Sequence, residues 1–362
     1  MKSYKPIIKL GEAEIRALKH LSDSIINKID PIIEITRGRK KSSASKKDGG
    51  DLYPFDKRLS AIKEIFKGKN VTFDLTSDES LLNNQILQLY APDNGYQNWI
   101  TFLCQLKKDG VFKQITPCLI VNGTDSDFEK NIYMQAQKLI AEFGTFIYRN
   151  SIIDENCYSD LSLFNSISDK IEILIDCDYV VQSLRTEVIN KVISRIENLN
   201  TLCNNKVKGF IVSATSFPKN ISEIGNDVSD EFTLSEVDIY NNVAKKFPYI
   251  EYSDYASINP VRNDNVIMAR GWIPRIDVPL QDKIYYIRQR RPKGISKYAS
   301  TYSAVARQII QTKDFPRLNN NWGITQIREC ANGAAPSSSP SFWISVRMCI
   351  HIEQQCNRIY ST

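Results

Sequence analysis

Short apolar runs in this chain repeatedly stop on a charged or polar side chain. PIIK stops at Lys9, PIIE at Glu34, VTFD at Asp74 and FIYR at Arg149. ITPCLIV is followed by Asn122, IDCD supplies Asp176 and Asp178, VSATS supplies Ser213 and Ser216, and EYSD supplies Tyr252 and Asp254. A charge taken out of water without a partner is costly, so so regular a set demands either internal pairing or a ligand. Two readings stay open. In one, Lys9 and Arg149 neutralise Glu34, Asp74, Asp176 and Asp254 within a structural ring. In the other, these six form a catalytic site, with Asn122, Asp178, Ser213 and Tyr252 as ligand-binding neighbours. Carboxylates with separated pKa values can act as general acid and base. They can also hold a hard divalent cation such as magnesium through oxygen ligands. A Schiff base at Lys9 is disfavoured, because a carboxylate neighbour keeps the amine protonated.

The elements that must position these groups alternate along the chain. KPIIKL (5–10), DPIIEI (30–35), NVTFDL (70–75), ITPCLIV (115–121), GTFIYR (144–149), KIEILID (170–176), VKGFIVS (207–213) and PYIEYSD (248–254) are near-continuous apolar runs. Such runs suit parallel strands buried on both faces. Between them, GEAEIRALKHLSDSII and LRTEVINKVISRIENL carry apolar stripes at helical spacing. Gly68, Gly110 and Gly144 follow three of the helical stretches, a usual stop position. Eight strands with helices between them predict an α/β fold, a (β/α)8 TIM-like barrel over residues 1–260. The strand ends would then meet in one hollow at the C-terminal mouth. Residues 261–362 read as an extension packed on the barrel: a hairpin-like segment over 271–292, a helix over 300–311, a loop over 333–341 and a C-terminal helix. Neither GxGxxG nor GxxxxGK[ST] occurs, which counts against a doubly wound nucleotide-binding sheet.

Composition removes several classes of function. With only His20 and His351, no HExxH protease or His-rich metal centre can be built. Eight cysteines without CxxC spacing read as reduced thiols of a cytoplasmic protein, and no apolar run approaches a membrane span. The net charge of +6 is concentrated. Residues 37–47 carry six basic side chains and no acidic one, and residues 283–297 carry six more, leaving the remainder at −6. Arg37, Arg39 and Lys40 would hang over the mouth, whereas Arg288, Arg290 and Arg291 offer a separate surface to nucleic acid or a partner.

The N-terminal segment KPIIKLGEAEIRALKHLSDSIINKIDPIIEI resembles the opening of the bacteriophage beta protein family. The tail is similar too, with Trp343 in an aromatic-rich segment followed by Ile350 and His351. The resemblance implies Lys9, Glu34 and His351 as characteristic positions and a setting in the conflict between phage and bacterium. No catalytic mechanism comes with it. The resulting expectation is a cytoplasmic protein that binds a phosphorylated ligand or nucleic acid at the mouth, with metal-assisted phosphoester hydrolysis as its enzymatic form. The rival expectation is a non-catalytic scaffold whose basic extension docks DNA or a partner protein of the same defence system.

Overall fold

The computed structural model describes residues 3–40, 53–219, 228–261, 272–294, 297–318 and 320–360; Lys41, Lys46 and Lys47 of the first basic segment lie outside them. Eight parallel strands form where the apolar runs predict them. The first four are β1 (Ile7–Lys9), β2 (Ile32–Ile35), β3 (Asn70–Leu75) and β4 (Gln114–Pro117), and they make one sheet in that order. A second sheet holds β5 (Phe146–Ser151), β6 (Ile171–Tyr179), β7 (Gly209–Thr215) and, after the intervening β8 (Ser229–Thr233), β9 (Glu251–Asp254). Registers such as Lys9 with Glu34 and Glu34 with Asp74 bring successive strand ends side by side.

The (β/α)8 barrel expected from the sequence is not what the hydrogen bonding shows. The eight parallel strands fall into two separate four-stranded sheets, and an antiparallel sheet of β10 (Arg275–Pro279), β11 (Lys283–Arg288) and β8 stands beside them. The two parallel sheets meet at single-residue bridges, Tyr4 with Tyr252 and Cys118 with Ile147, and among the described residues no continuous ladder joins them. One cause is local. Cys118 donates its amide to Phe73 and Leu119 donates to Ile147, so alternation turns Pro117 toward β5, where it has no N–H to give.

Strand alternation sorts the side chains. Ile7, Ile32, Cys118, Ile147, Leu174, Ile211 and Tyr255 form a small apolar layer between the facing sheets. Their neighbours in sequence, such as Ile8, Ile33, Phe73, Tyr148 and Val212, pack outward under the helices Glu12–Lys19, Asp56–Ile65, Asp93–Lys108, Phe128–Phe143, Arg185–Leu202 and Ser235–Lys246. Gly144, with φ of 77°, ends the helix Phe128–Phe143 in the left-handed conformation that glycine adopts without strain.

Around the antiparallel sheet a second cluster assembles Ile276, Val278, Tyr302, Val305, Ile324, Ile327, Val346 and Ile350. The C-terminal helix Pro340–Tyr360 belongs to both cores. Val346 and Ile350 enter the second cluster, while Met348, Ile352, Cys356 and Ile359 enter the first. No helix among the described residues is long and apolar enough to cross a membrane.

The helix Trp322–Ala331 approaches the C-terminal helix closely at Gly323, where a Cβ would stand 2.6 Å from the Val346 carbonyl oxygen. That oxygen is backbone and cannot swing aside. Gly323→Ala is expected to destabilise the protein by about 1–3 kcal/mol, the usual range for overpacking, as read from the midpoint of a urea melt; an unchanged midpoint would contradict this packing.

Candidate functional site

Five of the six predicted strand-end groups form one network, with Arg149 at its centre. Its Nη1 donates to Asp74 at 2.7 Å and to Glu34 at 3.2 Å. Its Nε and Nη2 donate to Asp176 at 2.9 and 2.7 Å, and Nη2 also reaches the Tyr255 hydroxyl at 2.7 Å. Lys9 Nζ donates to Glu34 at 2.6 Å, and Tyr255 donates to Asp176. Arg149 therefore links β2 and β3 of one sheet to β6 of the other. These carboxylates are almost fully buried, which makes the pairing strong and its loss expensive.

Burial works against the Glu34 carboxylate, but Lys9 and Arg149 outweigh it and its pKa lies below the ordinary value. For Asp74, burial and the charge of Glu34 prevail over Arg149, and the pKa is raised. Asp178 follows Asp176 across a β-bulge, with φ of 52°, and accepts from Ser151 Oγ at 3.2 Å. Burial and the neighbouring Asp176 push its carboxyl up to about 6.

Asp254 is the sixth group, and it lies elsewhere. It accepts from the Tyr4 hydroxyl at 2.7 Å, the Tyr252 hydroxyl at 2.9 Å, the Ala256 amide at 2.8 Å and His351 Nε2 at 2.8 Å. Tyr252 goes with it. Strand parity explains the displacement: Ser253 and Tyr255 share the inner face of β9, so Asp254 turns outward toward the C-terminal helix. His351 is thus a latch between that helix and β9. Burial opposes the Asp254 carboxylate, but His351, Tyr4 and the Ala256 amide hold its pKa below the ordinary value.

The remaining sequence-predicted residues scatter. Asn122 accepts from Thr124 within its own turn. Ser213 is buried beside Asp176 in register, and among the described residues its hydroxyl has no hydrogen-bond partner. Arg37 lies over the Tyr53 ring, while Arg39 and Lys40 are exposed. Arg290 and Arg291 are exposed beyond β11, and Arg288 ends that strand.

Beside the network a cleft of about 500 Å³ opens between the strand ends and the C-terminal helix. Its walls include Lys9 and Thr36 at the strand ends, Arg58 from the helix Asp56–Ile65, Phe217 and Lys219 from the segment after β7, and Ser341, Ile344 and Arg347 from the C-terminal helix. Four cations line it (Lys9, Arg58, Lys219 and Arg347), against the carboxylates of Glu12 and Glu14. Arg58 is held by the carbonyl oxygens of Leu10 and Arg37 at 2.9 and 2.7 Å. Arg347 donates to Asp277 at 2.9 Å and lies 3.7 Å from the centre of the Phe217 ring. Among the described residues no group of three or more His, Cys, Asp or Glu side chains is arranged to hold a metal ion, so the expected divalent cation finds no ligand set there.

The chain matches the family model described as Beta protein over residues 4–357. It belongs to that family. It is 28% identical over 361 residues to Protein beta of Enterobacteria phage P4, an alignment that spans 98% of this chain and 92% of that protein. The beta-family segment 4–35 noted in the sequence supplies β1, β2 and the Lys9–Glu34 pair.

Sequence reasoning missed Tyr255, Arg58, Lys219 and Arg347. Tyr255 was accessible from alternation, since it lies two residues past Ser253 on one face of β9. Arg58 and Arg347 are single cations within amphipathic helices, where nothing in the spacing separates them from solvated ones.

Two predictions follow from these environments. Arg149→Met leaves Glu34, Asp74 and Asp176 without their shared cation and is expected to cost about 3 kcal/mol in a denaturant melt; an unchanged midpoint would show the network to be dispensable. Glu236, hydrogen-bonded by Ser216, is pushed up to about 7 from 4.5, chiefly by burial. Its folded pKa is raised, so its contribution is full below the unfolded value and is lost as pH rises through the folded one. Glu236→Gln should therefore abolish a fall in stability across that window, on the order of 3 kcal/mol, measured by urea melts on either side of it.

Proposed function

We propose that this beta-family protein binds a small phosphorylated molecule, of nucleoside-phosphate size, in the cleft between the strand ends and the C-terminal helix. The cationic cleft itself carries the reading. Its volume of about 500 Å³ falls within the ~300–1,000 Å³ of typical small-molecule sites. It lies at the carboxyl ends of parallel strands, where open α/β sheets place their ligands. Four cations line the cleft, Lys9 and Arg347 held in place by Glu34 and Asp277, and guanidinium forks match phosphate oxygens in pairs.

In this reading Lys9 is a positioned cation. Glu34 occupies one side of its ammonium, and the other donors are available to a ligand oxygen. Arg58, anchored by two backbone carbonyls, presents a fixed guanidinium edge. Lys219 stands exposed at the rim and draws the anion in. Phe217 and Ile344 give apolar walls for the uncharged part of the ligand. The strand-end carboxylates are engaged by Arg149 and Lys9, which favours a binding role for this face over metal-assisted phosphoester hydrolysis. The similarity to a phage protein supports reading that binding as part of the conflict between phage and bacterium.

The test is a thermal-shift and calorimetric panel of nucleoside mono-, di- and triphosphates, with unphosphorylated nucleosides and inorganic phosphate as references. A phosphorylated compound is expected to raise the melting temperature, and its nucleoside is not. Lys219→Glu should weaken that binding about tenfold or more, as reversal of a close charge does, while leaving the unliganded melting temperature unchanged. If no phosphorylated compound shifts the wild type, or if Lys219→Glu binds as tightly, the proposal fails.

A further inference from the structure

The second basic segment shares no residue with the cleft lining and is not used by the proposed function. From Lys283 to Lys313 the chain carries eight lysines and arginines and no acidic residue. Within it, the Arg291 guanidinium lies 4.5 Å from the centre of the Tyr298 ring. Tyr298 in turn stacks on Trp272, with centroids 4.1 Å apart and planes 11° from parallel. Both rings are half-buried, and Arg290, Lys293 and Lys297 are exposed around them. Arg288, at the end of β11, lies 5.8 Å from the Tyr286 ring.

Several neighbouring acidic groups already have cationic partners, Lys283 of this segment among them. Asp277 is engaged by Arg275 and Arg347, and Glu231 and Asp314 by Lys283. Asp230 on β8 stands opposite Tyr286.

We infer that the Trp272–Tyr298–Arg291 stack and the cations of residues 288–297 form a binding surface for single-stranded nucleic acid. Stacked aromatic and guanidinium planes offer an unpaired base the π-surface it prefers, whatever its identity. Cations flanking that plane meet the phosphates on either side, a sequence-independent attraction that weakens with salt. A duplex hides its base faces and can use only the charges. The stack therefore selects single strands. This surface and the cleft share no residue, so either can fail without the other.

The experiment is fluorescence anisotropy of the full chain with a labelled oligo-dT of about 20 nucleotides, alongside a duplex of equal length. Three or four phosphate contacts predict that raising salt from about 50 to about 200 mM weakens single-strand binding roughly 20- to 50-fold. The double substitution Arg290→Glu with Arg291→Glu, at exposed positions, should weaken it at least about tenfold. Tyr298→Ala should cost about tenfold through lost stacking, and Tyr298→Phe should restore it. Lys219→Glu should leave oligonucleotide affinity unchanged. Absence of wild-type binding, equal affinity for the duplex, or indifference to the double charge reversal would each overturn the inference.

Discussion

One guanidinium joins what the backbone leaves apart. The two parallel sheets touch through isolated bridges, so their mutual placement rests on side chains, and Arg149 reaches Glu34 and Asp74 on one sheet and Asp176 and Tyr255 on the other. A planar fork with five donors can satisfy several carboxylates at fixed angles, which an ammonium cannot do. The opposite end repeats the device in simpler form. Lys5 pairs with Asp30 at 2.7 Å, and with Glu251 at 3.4 Å and Glu172 at 3.9 Å across the gap. Between these polar ends lies the thin apolar layer from Ile7 to Tyr255. Charge at both ends and hydrocarbon in the middle set the register of one sheet against the other.

The C-terminal helix depends on that placement and then defines the cleft. His351 grips Asp254, Arg347 grips Ser257 and Asp277, Ser345 receives Arg16, and Gln355 donates to the Gln281 carbonyl. These contacts reach three parts of the chain, at Arg16, at 254–257 and at 277–281. The helix can form a wall of a polar cleft because its anchoring is dispersed, and its apolar residues serve two cores at once. The same dispersion explains why a histidine near the end of the sequence is fully buried.

Much of this was readable before any coordinates. All eight parallel strands form at the predicted β-branched runs, because burial on both faces imposes a near-continuous apolar pattern. The hairpin at 275–288 and the long final helix were legible for similar reasons. Three things were not. Closure of the strands depends on edge pairing, and Pro117 removes a donor at a place periodicity does not mark. Strand β8, SDEFT, is half-exposed and charged, and it is a strand only because β11 pairs with it. Asp254 follows its apolar run as the other five do, yet a shift of one residue in parity sends it to the opposite face. The Lys9, Glu34, Asp74, Arg149 and Asp176 set was therefore legible as a group, while its partner Tyr255 and the cations of the cleft depended on tertiary placement.

Lys9 is the residue at which the structural and ligand-binding roles meet. Its ammonium closes the Arg149 network through Glu34 and also faces the cleft. An anion arriving there adds a second partner to a cation already half-neutralised, so the ligand gains less from Lys9 than from a cation without a carboxylate at its back. In exchange, the cation is pre-positioned, and little side-chain entropy is left to lose on binding. Removing it would leave Glu34 with Arg149 as its remaining cation and weaken anion binding together, which conflates two effects. Rim cations such as Lys219 are exposed where Lys9 is buried, and the difference between the two positions separates what holds this protein together from what it holds.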